Sequence, residues 1–245
     1  MRALIIPTLL LCTPAWALVP PNYNEPKRKL SSEIELGMQY TSGNSETSNF
    51  NSRIKAVYDG DGARHEVGLR GYFASDDGDS SAEQYQALYQ LDYKLPATQY
   101  IFGRGEFKWD RFGSFSRQHT LSSGYGRTPY ETKDSKLSLE AGLGYRYNYA
   151  NLDDDSLDDP SSDEGIFRIA SKWRHQLQEY TVVTADASVE TGNLNTVAEL
   201  KLAYRNQFWA DLALKFGIDF SYTDDVPEDS KNTDVISTVN LLYSF

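Results

Sequence analysis

The chain has 245 residues, of which 35 are Asp or Glu and 24 are Lys or Arg, so its formal net charge at pH 7 is −11. A chain this acidic is a poor binder of nucleic-acid phosphates, which excludes that class of function. The mean hydropathy of −0.56 is polar, but an average conceals a membrane barrel because its apolar residues alternate with polar ones. The 17 Tyr, 11 Phe and 4 Trp suit interfacial girdles, although a β-sandwich could also use them.

The N-terminus predicts a cleaved secretory signal peptide at residues 1–17. Arg2 precedes an apolar run at residues 3–11, and Ala-Trp-Ala supplies an Ala-x-Ala cleavage site. The apolar run is too short to span a bilayer as a helix. Cleavage removes Cys12, the only cysteine, so no disulfide is expected in the mature chain. A Pro-rich, unstructured lead-in follows at residues 18–30.

From residue 31 onward, apolar and polar residues alternate with the period of two that is typical of half-exposed strands. Residues 137–149 show the pattern most clearly, since Leu, Ala and Tyr alternate there with Ser, Glu, Gly, Arg and Asn. About twelve such segments of roughly ten residues occur, which is the length a tilted strand needs to cross hydrocarbon. The sixth segment, near residues 118–128, is the faintest.

The connections between these segments alternate in length. Short ones lie at residues 59–62, near Pro96, and at residues 131–135, 178–179 and 210–211, whereas the others include two long acidic loops. Short turns on one side and longer loops on the other are typical of outer-membrane barrels. The sequence predicts an all-β fold, a single transmembrane antiparallel β-barrel of about 12 strands (roughly 10–14) at residues 31–245, with both termini periplasmic.

Residues 235–245 predict the strand that closes the barrel. Their alternate positions form an apolar row with one break at Ser237. In a soluble sandwich such an edge would be a liability, whereas in a closed barrel it pairs with the first strand. The ending resembles the C-terminal assembly signal of bacterial outer-membrane barrels. This resemblance implies recognition by the barrel-assembly machinery through Val239, Leu241, Tyr243 and Phe245.

Charged side chains occupy the more polar face of many predicted strands, and we expect this face to line the barrel lumen. These residues are Arg53, Lys55, Glu66, Arg70, Arg104, Glu106, Lys108, Asp110, Glu140, Arg146, Arg168, Lys172, Arg174, Asp186, Glu190, Glu199, Lys201 and Arg205. They could pair across strands and fill the lumen, because buried charge must be compensated. They could instead line a narrow pore that selects solutes by charge. Predicted strands two, five, eight and ten are rich in basic residues, which favours passage of anions or zwitterions.

The acidic loop at residues 151–164 invites comparison with a calcium-binding loop. A calcium loop needs ligands at fixed spacing, a glycine for the turn and a closing glutamate. Pro160 interrupts this pattern, and no glycine occurs until Gly165. We therefore expect a solvated outer loop and no dedicated metal site, although divalent ions could bridge its carboxylates to lipopolysaccharide phosphates.

The three histidines, His65, His119 and His175, are the candidates for catalysis. A serine nucleophile needs a histidine within hydrogen-bond reach and a third group that orients the histidine. His65 and His175 fall on the predicted lipid-facing side near the short turns, and His119 falls at the other rim. We therefore expect interfacial histidines, no catalytic residues and no cofactor. A Ser–His pair at one rim would instead favour an enzyme.

The eight residues Tyr-Thr-Ser-Gly-Asn-Ser-Glu-Thr at positions 40–47 follow the first predicted strand. Together with the secretion signal and the ending at Phe245, this segment resembles the YdiY-like family of salt-induced outer-membrane proteins, a family of unknown function. The resemblance implies an outer-membrane barrel with a link to salt or osmotic stress. It implies no catalytic residues.

The sequence therefore predicts a non-enzymatic protein of the bacterial outer membrane that contacts lipid and lipopolysaccharide. Its expected role is a narrow pore or a salt-stress envelope protein. One alternative is a closed structural barrel that binds lipopolysaccharide or a partner through its acidic loops, and a second is an outer-membrane hydrolase or acyltransferase. A continuous lumen wider than water favours the pore, and a lumen crossed by Arg–Glu pairs favours the closed barrel.

Overall fold

The computed structural model describes residues 29–41, 47–76, 79–113, 115–150, 161–226 and 232–245. Within these ranges the regular structure is β-strand, and no helix there is long and apolar enough to cross a membrane. The predicted signal peptide, most of the lead-in, the tip of the YdiY-like segment and most of the long acidic loop lie outside the described residues.

Twelve strands occupy the described part of the chain, as the alternation predicts. They are β1 (Leu30–Thr41), β2 (Thr47–Asp59), β3 (Ala63–Asp76), β4 (Asp79–Leu95), β5 (Gln99–Asp110), β6 (Phe115–Glu131), β7 (Ser135–Ala150), β8 (Ser161–Gln178), β9 (Thr181–Gly192), β10 (Thr196–Trp209), β11 (Leu212–Thr223) and β12 (Thr233–Ser244). The faint sixth segment is a 17-residue strand whose register shifts near both ends. The shifts lie at residues 115–117 and 127–130, whereas within residues 118–128 the outward row carries His119, Ser123 and Arg127, which explains the weak alternation.

The strands form one closed barrel, in which each pairs antiparallel with its neighbours in sequence and β12 closes the ring against β1. The predicted fold class is therefore confirmed. The short turns lie at the end of the barrel that also holds Leu30 and Phe245; we call this end the turn rim and the opposite end the loop rim. In the β4–β5 turn, Ala97 and Thr98 adopt φ values of 60° and 61°, which suit the twist of a tight hairpin.

The barrel is apolar outside and polar inside, the reverse of a water-soluble domain. Leu121, Leu143 and Ile169 are each more than half exposed on the outer face, whereas Arg146 is fully buried inside. A continuous apolar surface of this kind needs a non-aqueous solvent. A closed ladder also pairs the backbone groups of its strands, as hydrocarbon requires.

Aromatic side chains cluster at both ends of the apolar band. At the turn rim the ring centroids of Tyr58 and His65 lie 6.2 Å apart. At the loop rim the ring of Tyr85 lies 5.4 Å from that of Phe73 and 5.3 Å from that of Trp109. Two aromatic levels with an apolar band between them have the arrangement of interfacial girdles.

The seam between β1 and β12 is the shortest strand pairing in the described barrel. It joins residues 33–36 to residues 241–244, and reciprocal backbone bonds of 2.9 Å between Ser32 and Phe245 extend it toward the turn rim. The residues of the predicted assembly signal all point outward with exposed side chains: Val239, Leu241, Tyr243 and Phe245. Their recognition by the assembly machinery stays a prediction.

Candidate functional site in the barrel lumen

The lumen is the candidate functional site, because the inner face of the strands concentrates charged side chains. The predicted lumen residues stand at positions opposite to the exposed apolar row of their strand, so they point inward. Two of them lie at the ends of the lumen. Arg174 is exposed at the turn rim, and Asp110 at the loop rim accepts hydrogen bonds from the backbone N–H groups of Phe112 and Gly113.

Glu140 on β7 is the centre of one lumen cluster and is almost fully buried. Its carboxylate accepts hydrogen bonds from Gln90 Nε2 at 2.9 Å, from the Tyr100 hydroxyl at 3.1 Å and from Arg168 Nη1 at 3.3 Å. Lys172 Nζ lies 3.7 Å from the same carboxylate. Because two cations and two neutral donors surround it, the buried charge of Glu140 is well compensated.

The polar contacts continue from Gln90 along β4, β3 and β2. Gln90 Nε2 donates to Asp92 at 2.8 Å, and Arg64 Nη1 donates to Asp92 at 3.1 Å. Arg64 also contacts Glu66, whose carboxylate lies 3.1 Å from Lys55 Nζ. The prediction included Lys55 and Glu66 but missed Arg64 and Asp92, although the alternation of β3 and β4 turns both inward.

A second cluster joins β1, β2, β3 and β11 across the closing seam. The carboxylate of Asp219 lies 2.7 Å from Arg70 Nη1 and 3.6 Å from Arg53 Nη2. Glu35 is buried and accepts a hydrogen bond from Lys215 Nζ at 2.6 Å. The prediction missed Glu35, Lys215 and Asp219. Their inward positions in β1 and β11 were the available signal.

Some of these contacts cut across the lumen rather than follow its wall. Lys172 on β8 donates to Gln90 Oε1 on β4 at 3.3 Å, and Arg70 on β3 donates to Asp219 on β11 at 2.7 Å. Each contact joins strands four steps apart in the ring of twelve. Side chains that meet over such a distance extend toward the barrel axis. The two clusters therefore fill the lumen on the β4–β8 side and on the β11–β3 side.

Two aromatic side chains fill the lumen further, and the prediction missed both. An added Cβ at Gly126 would collide with the ring of Tyr100, and one at Gly142 would approach Phe102 Cζ to 2.9 Å. The absence of side chains at these glycines lets the two rings lie against the wall formed by β6 and β7. The available signal was the series of glycines at inward positions of these strands.

The inner face of β9 and β10 is the part of the lumen that the clusters leave open. Asp186 stands inward near the middle of β9, directly between Lys172 of β8 and Lys201 of β10 in the register. Both lysines contact other carboxylates, since Lys172 lies near Glu140 and Lys201 Nζ is 2.8 Å from Glu199. The Asp186 side chain is exposed although it lies inside the barrel. Space for water therefore reaches the middle of the lumen.

Basic side chains dominate this open region. The exposed fractions of the Lys55, Lys172 and Lys201 side chains are 40%, 32% and 31%, whereas that of Glu140 is 2%. Asp186 is close enough to all three lysines for Coulomb interactions. The region, which we call the passage, thus presents three partly exposed ammonium groups and one exposed carboxylate to water.

Two cavities lie between this region and the loop rim. One is bounded by β3–β5 on one side and by β10–β12 on the other and shares Lys201 with the passage; we call it the vestibule. The other is bounded by β5, β6, β9 and β10. Lys108 and Glu199 line both cavities.

The start of β8 differs from the acidic loop expected at residues 151–164. Asp163 and Glu164 belong to β8, and Glu164 is buried in the lumen. One of its oxygens accepts a hydrogen bond from Arg146 Nη2 at 2.7 Å, and the other accepts one from the backbone N–H of Leu194 at 2.8 Å. Glu164 therefore compensates the charge of the buried Arg146, although its position in the sequence would suit the closing glutamate of a calcium-binding loop. The described residues hold no group of three or more side chains arranged for a metal ion.

All three histidines lie on the outer face. His65 Nδ1 is 2.9 Å from the Tyr89 hydroxyl, and the ring of His119 lies between those of Phe107 and Tyr147. These aromatic neighbours belong to the girdles at the turn rim and the loop rim, respectively. The positions agree with interfacial histidines.

His175 makes a contact that the prediction did not identify. Its Nδ1 lies 3.2 Å from Ser135 Oγ at the turn rim, and its ring stacks on Trp173 with centroids 5.8 Å apart. A nucleophile and a base are therefore adjacent. Within the described ranges no carboxylate contacts the other ring nitrogen, so the third member of a catalytic triad is absent there.

A closed antiparallel barrel with an apolar exterior, two aromatic girdles and a charged lumen has the architecture of outer-membrane β-barrels. Solved structures of this class share the fold. One is the translocator domain of autotransporter NalP from Neisseria meningitidis, at 12% identity and a TM-score of 0.50, with 88% of each chain covered. Another is the COG4313 outer membrane channel from Pseudomonas putida F1, at 11% identity and a TM-score of 0.51, with 93% of this chain and 100% of that chain covered.

The chain belongs to the family described as "Protein of unknown function, DUF481", whose model matches residues 34–245. This is the YdiY-like family, so the predicted family is confirmed. No curated protein sequence matches the chain.

Replacing Glu140 by Gln tests whether its cluster stabilises the barrel. The change leaves Arg168 and Lys172 with less compensation in the lumen, so we expect the free energy of unfolding to fall by about 3 kcal/mol. Urea titration in detergent micelles, followed by tryptophan fluorescence, measures this loss. Glu131→Gln is the matched control, because the exposed pair of Glu131 with Lys136 contributes less than about 1 kcal/mol. Equal losses in the two variants would contradict the role assigned to the cluster.

Proposed function

We propose that this protein is a non-enzymatic outer-membrane barrel that forms a narrow, off-centre pore for small solutes. The observation that carries the proposal is the exposed Asp186 carboxylate near the middle of β9. A side chain inside a closed barrel is exposed only where space for water reaches it. The contacts of Lys172 with Gln90 and of Arg70 with Asp219 occupy other parts of the cross-section. The passage is therefore much narrower than the barrel.

The outer face supports a membrane-spanning position for this pore. Its apolar band and two aromatic girdles match the hydrocarbon and the interfaces of a bilayer. We assign the turn rim to the periplasm and the loop rim to the cell surface, where it would contact lipopolysaccharide. The outward row of β12 that ends at Phe245 would be the part recognised by the barrel-assembly machinery.

The charges that line the passage favour small anions. Three partly exposed lysines face the water there, and of the carboxylates near them, which include Glu66 and Glu199, Asp186 is the most exposed. These lysines are paired with Glu66, Glu140 and Glu199, but in each pair the lysine side chain is the more exposed partner. A narrow lumen with low-dielectric walls focuses the remaining positive potential, so anions would enter more readily than cations.

Single-channel recording of the refolded protein in a planar bilayer tests the pore. We expect discrete conductance steps in molar KCl and, in asymmetric KCl, a reversal potential whose sign reports anion preference. The variant Lys55→Gln/Lys172→Gln removes two lining ammonium groups. It should still fold, because the carboxylates they contact keep Arg64 and Arg168 as partners. We expect its reversal potential to move toward cation preference.

Lys133→Gln/Lys136→Gln is the matched control, since it removes the same charge from exposed residues at the turn rim. Its reversal potential should equal that of the wild type. A folded, heat-modifiable wild-type barrel that stays electrically silent would reject the pore and favour the closed structural barrel. A reversal potential that Lys55→Gln/Lys172→Gln leaves unchanged would keep the pore but reject these lysines as its selectivity determinants.

A lipid hydrolase is the second candidate function, and the Ser135–His175 contact is the observation that favours it. The pair lies on the outer face at the turn rim, next to the interface where acyl esters of lipids lie. The histidine could accept the serine proton during attack on an ester.

A fluorophosphonate probe, which labels activated serines, separates the two candidates. We expect no labelling of the wild type, because within the described residues no carboxylate orients His175. Labelling that is lost in Ser135→Ala would overturn the non-enzymatic proposal, provided that it persists in Ser116→Ala at the loop rim.

A further inference from the structure

The vestibule carries more charged groups than the passage below it. Its lining includes three basic and three acidic side chains, so its formal charge is balanced: Arg70, Lys108, Lys201, Glu199, Asp219 and Asp234. A balanced cavity gives no general advantage to anions or to cations. Its recognition chemistry therefore depends on which of these charges are still free to bind a ligand.

Four of the six charges are already paired. Arg70 Nη1 lies 2.7 Å from Asp219, and Lys201 Nζ lies 2.8 Å from Glu199. Lys108 and Asp234 have no ion pair within 4 Å in the described part of the chain; the carboxylates of Asp110 and Glu199 act on Lys108 from farther away, and Asp110 also has a Coulomb interaction with Asp234. Among the described residues, one ammonium group and one carboxylate are thus available to a ligand.

The two remaining groups stand on different walls of the vestibule. Lys108 is half-buried on β5, and Asp234 is exposed on β12, five strand steps away around the ring. The side-chain amides of Gln84 and Gln86 line the wall beside them. The vestibule is therefore lined by a positive group on one wall and a negative group on another.

We propose that the vestibule binds small zwitterions, with the ligand carboxylate on Lys108 and the ligand ammonium group on Asp234. A simple anion would pair with Lys108 but meet the repulsive charge of Asp234, and a simple cation would meet the reverse. Each single-charge ligand thus loses one charge-assisted hydrogen bond and gains one repulsion. This proposal extends the proposed pore function. It rests on that function only in that the ligand enters from the loop rim, because binding itself does not require conduction.

Three probes with the same carbon skeleton test the site: γ-aminobutyrate, butyrate and n-butylamine. Saturation-transfer NMR titrations on the full chain in nanodiscs measure the three affinities. We expect γ-aminobutyrate to bind about tenfold more tightly than either single-charge probe, since each charge-assisted contact is worth at least that factor. Equal affinities on the wild-type chain would overturn the proposal without any variant.

Lys108→Gln and Asp234→Asn separate the two ends of the ligand. Each should weaken γ-aminobutyrate about tenfold, and Asp234→Asn should also strengthen butyrate because the repulsive carboxylate is gone. Lys136→Gln and Glu131→Gln, at the opposite rim, are the charge-matched controls and should change nothing. Zwitterion binding that neither vestibule variant weakens would reject the assigned contacts.

The binding test and the conductance test can fail independently of each other, so the zwitterion site and the pore are tested separately. Selective γ-aminobutyrate binding by an electrically silent barrel would reject the pore and keep the site. Conductance without selective binding would reject the site and keep the pore.

Discussion

Hydrocarbon offers no hydrogen-bond partner, and this constraint governs the whole arrangement of the chain. It requires that the backbone ladder close on itself, so the first and last strands must meet even though they share only a short seam. It also requires that side chains facing lipid be apolar, which sends the polar half of each strand into the lumen. The inverted distribution, with Leu143 exposed and Arg146 fully buried, follows directly from the solvent that surrounds the barrel.

The charged lumen that results must then satisfy a second condition, that carboxylates removed from water find partners. Glu140 meets it through Gln90 on β4 and Arg168 on the adjacent β8, and Asp219 through Arg70 on the other side of the closing seam, so these contacts occupy part of the cross-section. Lys172 and Lys201 flank Asp186 in the register but contact other carboxylates, so Asp186 is left facing water. On this account the position of the passage beside β9 is a consequence of how the other charges pair.

The inward or outward direction of each side chain could be predicted from the sequence, because the strand period depends only on neighbouring residues. That is why the inward positions of Lys55, Glu140 and Lys201 could be assigned from one strand at a time, whereas their partners could not. The contact of Arg70 with Asp219 joins strands four steps apart, so it depends on the number of strands and on their stagger. The alternation of β6 is faint for a local reason, since its outward row carries the polar residues His119, Ser123 and Arg127.

The most direct test of the account is the accessibility of single cysteines in the folded barrel. Asp186→Cys lies in the passage, whereas Ala170→Cys also points inward, one strand away, at a position only 4% exposed. The native Cys12 lies in the predicted signal peptide, so the introduced thiol is expected to stand alone. Small membrane-impermeant methanethiosulfonates should modify Asp186→Cys but not Ala170→Cys, and the rate ratio of the anionic to the cationic reagent should exceed the ratio measured with a small free thiol. Equal reaction at both positions, or none at Asp186→Cys, would contradict an off-centre, water-filled passage.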